Sequence, residues 1–433
     1  LTSLCFALVP AVVACSGSTS SPDTGNEVAA SVSRNLHPSV PSADTAALVT
    51  GNTDFAFGLY KGLASTTSTP EGNLFYSPYS VSLALAMTYA GAGGATATQM
   101  AEALGFTLPE SRLSPAFDAL DLAIETKPAS AVGADGASFA LNLADALWGD
   151  ETVKFAPTYV NTLAANFGAG LRTVDFVHQS TAAEAAINAW VSSETGGHIN
   201  PLLAPGDVNP STQLVLVNAV YFNAGWGTAF DATATKVGTF TRADGSTVQA
   251  PLMSSGSTAT TYMKGKNYQA VELPYSGGTT SMIVVLPDTG ALSAVEGGLG
   301  GSFFTHVTSQ LSSNYSINLT IPKFTIHGAS VSLVPMLQGL GMKDAFEAGT
   351  ANFDAMIPGG GTYISDVIHQ AFIDVDESGT VAAAATGVIG TASIARETID
   401  VTVDVNRTFF LFIRDVATNT ILFAGREDDP TAQ

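Results

Sequence analysis

The body of this 433-residue chain has no cysteine: the only two, Cys5 and Cys15, fall in the first fifteen residues. This excludes a disulfide framework, a thiolate nucleophile and a cysteine-ligated metal from everything that follows. Cationic charge is also scarce, with 16 Lys and Arg against 37 Asp and Glu and a formal net charge of -21. Nucleic acid, sulfated polysaccharide and anionic membrane surfaces all require cationic protein, so none is expected as a partner. No internal apolar run reaches the ~18 residues of a transmembrane helix. The six histidines show no metal-ligating or catalytic spacing, and no Gly-x-Ser-x-Gly elbow occurs. No cofactor, no metal and no enzymatic activity are expected; a hydrolase built on Ser393 and His369 is the disfavoured alternative. Two absences are local. No proline occurs between Pro358 and Pro430, and no charge occurs between Glu377 and Arg396.

That last gap lies in the most unusual stretch, Asp366–Glu397. It begins as an ordinary strand, with apolar residues at Val367, Ala371, Ile373 and Val375. After Glu377-Ser378-Gly379-Thr380 it becomes small and uncharged, through Ala382, Ala383, Ala384 and Ala385 to Ala395. On period two, Thr380, Ala382, Ala384 and Thr386 share one face, and Val381, Ala383, Ala385 and Gly387 the other. A strand entering between two closed neighbours needs small side chains, no buried charge and no proline. Gly379 is expected to act as a hinge through its free φ. Read without context, the same alanines suit an exposed helix or linker.

The N-terminal residues Leu1–Ala14 are apolar but too short to span a bilayer, and read as the hydrophobic part of a secretory signal (1–14). Val12-Val13-Ala14-Cys15 resembles a bacterial lipobox, with Cys15 as the lipidated residue; an ordinary export signal is the other reading. Residues 15–45 are rich in Ser, Thr, Pro, Asp and Gly and read as a flexible tether. The expected location is outside the cell or at its surface, with membrane contact only through the lipid on Cys15, and the periplasmic side also open.

From residue 46 to 430 helices and strands are interspersed without a βαβ period, which points to a single α+β domain. Leu48, Phe55, Leu59 and Leu63 share a helical face, with Asn52–Asp54 read as a polar interruption. Ser77-Pro78 opens a second helix. Gly105 closes a third. Leu214–Phe222 is nearly all apolar, as in a strand buried on both faces. Ser276-Gly277-Gly278 joins two strands as a hairpin.

Asn73–Phe106 (NLFYSPYSVSLALAMTYAGAGGATATQMAEALGF) resembles the N-terminal signature of the serpins. Asp145-Ala146-Leu147-Trp148, read as a strand start, Ile187–Ile199, Leu214–Trp226, Ile321-Pro322-Lys323-Phe324, Leu340–Phe346, His369-Gln370-Ala371-Phe372, Phe409–Ile413 and Ile421–Arg426 follow in that family's order. The resemblance implies a serpin-like α+β domain with a large mixed sheet, smaller sheets and an exposed reactive-centre loop, here 377–397. It implies an inhibitor of serine proteases that acts as a suicide substrate. The protease cleaves the loop and is held as an acyl-enzyme while the loop inserts into the main sheet. About a dozen new ladder hydrogen bonds would contribute roughly 6–18 kcal/mol, as much as an ordinary domain's whole stability. The uncut fold would then be metastable.

The resemblance also assigns residues. Ser77, Ser80, Asn218 and His369 match the polar cluster where the large sheet opens. Trp226 matches the tryptophan where insertion begins. Glu377, Gly379, Thr380 and Ala382–Ala385 match the hinge of inhibitory members. Non-inhibitory serpins, which act as binding or surface proteins, tend to carry bulky or charged hinge residues and are the alternative. Val381 and Thr408 depart from the pattern, which usually has an acidic residue and a proline there. Counting from Glu377 places the scissile residue at Ser393, before Ile394; a longer loop shifts it toward Arg396. Ala392 or Ser393 suits an elastase- or subtilisin-like protease and Arg396 a trypsin-like one. A cysteine protease remains open as a target, and the chain is expected to act as a monomer.

Overall fold

The computed structural model describes residues 25–65, 72–125, 140–168, 170–380 and 401–432. In chain order the N-terminal half comprises β1 (Asn26–Glu27), α1 (Ser42–Ala64), β2 (Leu74–Tyr76), α2 (Pro78–Tyr89), α3 (Gly94–Leu104) and α4 (Glu110–Glu125). It continues with β3 (Ala140–Asp150), α5 (Pro157–Phe167), β4 (Leu171–Val174), α6 (Phe176–Glu194) and β5 (Leu214–Gly225). The second half carries β6 (Lys236–Thr241), β7 (Thr247–Gly265), β8 (Tyr268–Pro274), β9 (Thr280–Pro287), α7 (Leu292–Glu296) and α8 (Gly301–Gln310). Then come β10 (Ser312–Pro322), β11 (Phe324–His327), β12 (Val331–Ser332), α9 (Val334–Gly339) and β13 (Ile364–Val375). The last elements are β14 (Gly379–Thr380), β15 (Val401–Asp404), β16 (Phe409–Asp415) and β17 (Ile421–Glu427).

The strands form two sheets. One runs β1-β4-β3-β5-β14-β13-β11, with β12 also on β13; the other runs β15-β10-β7-β8-β9-β16-β17-β2, with β6 on β7. The first is mixed, because β5 and β13 are parallel to each other whereas β3 and β5 are antiparallel. The architecture is α+β.

Between the sheets lies α2, buried from Pro78 to Thr88. Its start is specified locally: Ser77 caps it by accepting from the Ser80 N–H, and Pro78 occupies the first turn, where no N–H is needed. Asn52–Asp54 does not interrupt α1. The helix runs through it, because Asn52 turns inward and its Oδ1 accepts from Ser82 Oγ at 2.8 Å. Asp145-Ala146-Leu147-Trp148 is likewise mid-strand, since β3 already begins at Ala140. On the outer face of the first sheet, Ile187, Trp190 and Val191 of α6 pack on Ala144, Ala146 and Trp148 of β3.

The segment before α1 is tied down at two points. β1 extends the sheet edge by pairing antiparallel with β4. Arg34 reaches Asp118 at 2.8 Å, Asp121 at 2.6 Å and Glu125 at 3.0 Å, all on α4.

Candidate functional site at the mouth of the large sheet

Strands β5 and β13 pair directly from Leu214↔Ile364 to Tyr221↔Phe372. Beyond that rung they part, and β14 fills the space. Gly379 and Thr380 pair antiparallel with Gly225 and Ala224 of β5, and Thr380 pairs with Val375 of β13. The chain therefore leaves β13, turns at Asp376–Ser378 and re-enters its own sheet between two parallel strands. Thr380 is fully buried there.

The turn is well anchored. Asp376 Oδ1 accepts from the Ser378 and Gly379 N–H groups at 2.8 and 3.2 Å, and the Asp376 N–H donates to the Gly379 carbonyl at 2.9 Å. Trp226, at the end of β5, donates its backbone N–H to Ser378 O and its Nε1–H to Asp376 O, both at 2.9 Å. Glu377 accepts from Lys323 Nζ at 2.7 Å and Thr235 Oγ1 at 2.6 Å. Burial pushes against ionisation of Glu377, but these two hydrogen bonds, with a backbone hydrogen bond and the Lys323 charge, together outweigh it and lower its pKa below the usual carboxylate value. In this seated arrangement glycine at 379 is required for space and not for φ. Its φ lies outside the left-handed region, and a Cβ would meet Ala224 O at 2.3 Å and Gly225 Cα at 2.6 Å.

Below the mouth, the structure brings Ser77, Ser80, Asn218 and His369 together. Asn218 and His369 are opposite partners across the β5–β13 seam, and His369 Nδ1 bonds Asn218 Oδ1. His369 Nε2 accepts from the Ser77 N–H at 3.2 Å, so Nδ1 carries the proton. Burial lowers the His369 pKa to about 4, keeping the ring neutral. Asn218 Nδ2 donates to Ser80 Oγ and to Asp145 Oδ1, both at 2.6 Å. Ser80 Oγ lies 2.6 Å from both Asp145 oxygens.

Asp145 is thus a fifth member, overlooked in the sequence. It pairs with Asn218 across β3 and β5, a relation visible only once the strand register is known. Enclosure by protein, with the nearby Asp121 charge, outweighs the Ser80 and Asn218 hydrogen bonds and pushes its carboxyl up to about 8. The loop after α6 lies over the same seam: His198 stacks on Tyr221 with centroids 4.0 Å apart and sits 5.5 Å from Phe372.

Val381, Ala382–Ala385, Ala392, Ser393, Ile394, Arg396 and Cys15 lie outside the described residues. Among the described residues, no group of three or more His, Asp or Glu is placed to hold a metal, and no helix is long and apolar enough to cross a membrane.

The family model for serpins, serine protease inhibitors, matches residues 50–430. The chain belongs to the serpin family. Leukocyte elastase inhibitor of Xenopus tropicalis is 36% identical to this serpin over 385 residues, covering 87% of this chain and 98% of that protein. The native thermophilic serpin tengpin matches with a TM-score of 0.79 and 26% identity, over 94% of this chain and all of tengpin. Human thyroxine-binding globulin, solved with its thyroxine, matches with a TM-score of 0.78 and 27% identity, over 90% of this chain and 100% of its own. One fold thus serves a protein named as an elastase inhibitor and one named as a thyroxine-binding globulin, so the mouth of the sheet must be judged on this serpin's own residues.

Proposed function

We propose that this serpin inhibits a serine endopeptidase as a suicide substrate. The observation that carries the reading is β14: Gly379 and Thr380 are seated between β5 and β13 as the first rungs of an antiparallel strand. A protease serine attacks the scissile carbonyl within 391–394, or at Arg396, and forms an acyl-enzyme. The cut releases the loop from its C-terminal attachment. The residues after Thr380 then continue β14 down the seam, exchanging the β5–β13 ladder for two new ladders, and carry the acylated protease with them. Small uncharged residues from Ala382 onward keep that passage free of buried charge. The small side chains of Ala392 and Ser393, together with relatives named leukocyte elastase inhibitor, support an elastase- or subtilisin-like target.

The test is incubation with a protease panel. Inhibition gives a covalent complex resistant to SDS, with one chain per protease, and mass spectrometry of the released C-terminal fragment identifies the bond. Cleavage by every protease with no complex formed would refute the reading and favour a binding role.

We further propose that the chain is exported and anchored at a cell surface through lipidated Cys15. Membrane-fraction recovery that is lost in Cys15→Ser checks this.

A further inference from the structure

We propose that Tyr275 is a positioning residue for loop insertion, holding Thr380 so that one defined face of the incoming strand turns to the core. This rests on the suicide-substrate reading above. Tyr275 Oη and Thr380 Oγ1 are 2.8 Å apart, and both residues are buried. The phenol ring is itself fixed. It stacks on Trp226 at 4.7 Å with planes 8° apart and meets Phe222 edge-on at 5.1 Å. Its backbone is held by bonds from Tyr275 N–H to Thr280 O and from Ser276 N–H to Gly225 O.

A device of this kind is needed because the loop's own pattern does not choose a face. The two alternating sets after Gly379 are Thr380, Ala382, Ala384 and Thr386 against Val381, Ala383, Ala385 and Gly387. Both are uncharged, and apart from Val381 both are small. A strand whose two faces are alike has weakly specified register, and a slip of one residue exchanges the faces. Thr380 is the first residue of the series, and its side chain is tied to the sheet bed. The turn at Asp376–Gly379 does not substitute for it, because its bonds, internal at Asp376 and external to Trp226, Lys323 and Thr235, all end before Thr380 and survive if Thr380 lifts out. The hydroxyl pair does not survive that movement. It couples the seated hinge to Tyr275, the residue after β8, outside the loop.

Tyr275→Phe removes the hydroxyl and keeps the stacked ring. Thr380→Val removes the other partner at nearly constant shape, and Thr380→Ser retains a hydroxyl. The measurement, with a protease the wild type traps, is the ratio of cleaved to covalently trapped chain, alongside the rate of first cleavage and the melting temperature. Tyr275→Phe and Thr380→Val are each expected to raise that ratio roughly three- to tenfold, the effect of one lost hydrogen bond on a competing rate. The rate of first cleavage stays unchanged, the double variant is no worse than either single, and Thr380→Ser lies near wild type. A merely structural role would lower the melting temperature and leave the ratio alone. An unchanged ratio in Tyr275→Phe, or single effects that multiply in the double variant, overturns the proposal. Where the wild type is cleaved but traps no protease, the inhibitory reading fails separately. The rate at which the cleaved chain gains heat stability then decides: slower gain in Tyr275→Phe supports the positioning role, and equal rates or no gain overturn it.

Discussion

Asp145→Asn is expected to reverse the pH dependence of stability, because Asp145 and His369 pull in opposite directions. The folded carboxyl of Asp145 titrates near 8 against an ordinary 3.8, so the native state holds a proton that the unfolded chain releases. Its contribution is fully present below pH 3.8 and is lost as pH rises toward 8, at about 1.4 kcal/mol per pH unit. His369 titrates near 4 against an ordinary 6.5, so the unfolded chain holds a proton that the native state refuses. Its contribution is present above pH 6.5 and is lost as pH falls toward 4. Between about pH 4 and 6.5 the two slopes cancel. Above 6.5 only Asp145 of the pair remains, and its contribution should fall by about 2 kcal/mol by pH 8. Water reaching the half-buried Asp145 trims this at the upper end.

Asparagine keeps the shape and the bonds to Ser80 and Asn218 but carries no proton to lose. Relative to the wild type, the variant should therefore gain about 2 kcal/mol from pH 6.5 to 8 and lose about 3 kcal/mol from 6.5 down to 4. Other titrating groups are common to both proteins and drop out of the difference. The assay is the urea unfolding midpoint of the intact chain at half-unit pH steps. A difference curve that is flat from pH 4 to 8 would refute the reasoning.

Three further outcomes follow from the geometry. Glu377→Gln loses a charge-assisted bond to a partly exposed lysine and should cost about 1 kcal/mol of native stability; thermal unfolding measures it, and a similar loss in Lys323→Ala with no further loss in the double variant ties it to this pair. Gly379→Val cannot keep β14 in place, since its Cβ would collide with backbone atoms of Ala224 and Gly225; amide exchange at Thr380 should become at least tenfold faster, and unchanged protection would contradict the placement. Arg34→Ala leaves Asp118 and Asp121 without their cation and should destabilise the chain by about 3 kcal/mol; calorimetry at neutral pH checks it, and a change below 1 kcal/mol would show that the pairs are solvated.

Much of the fold was legible locally. Ser77-Pro78 announces a helix start because both residues act within one turn. The apolar run Leu214–Phe222 announces a strand buried on both faces. The elements misplaced were those where a distant partner overrides a local signal. Asn52 looks like a break in α1 until Ser82 supplies its hydrogen-bond partner. That Gly379 also has no room for a Cβ shows only once Ala224 and Gly225 are seen beside it.

By itself the sequence determined the family, through many motifs in one order, and the chemical character of the loop, through the charge, bulk and proline missing after Glu377. Both are properties of residues read along the chain. Tertiary structure alone decided that Gly379 and Thr380 are already seated between β5 and β13. It alone placed Asp145 against Asn218 and Tyr275 against Thr380, pairs separated by 73 and 105 residues. Strand register sets such contacts, and a shift of one residue would turn each of these side chains to the opposite face.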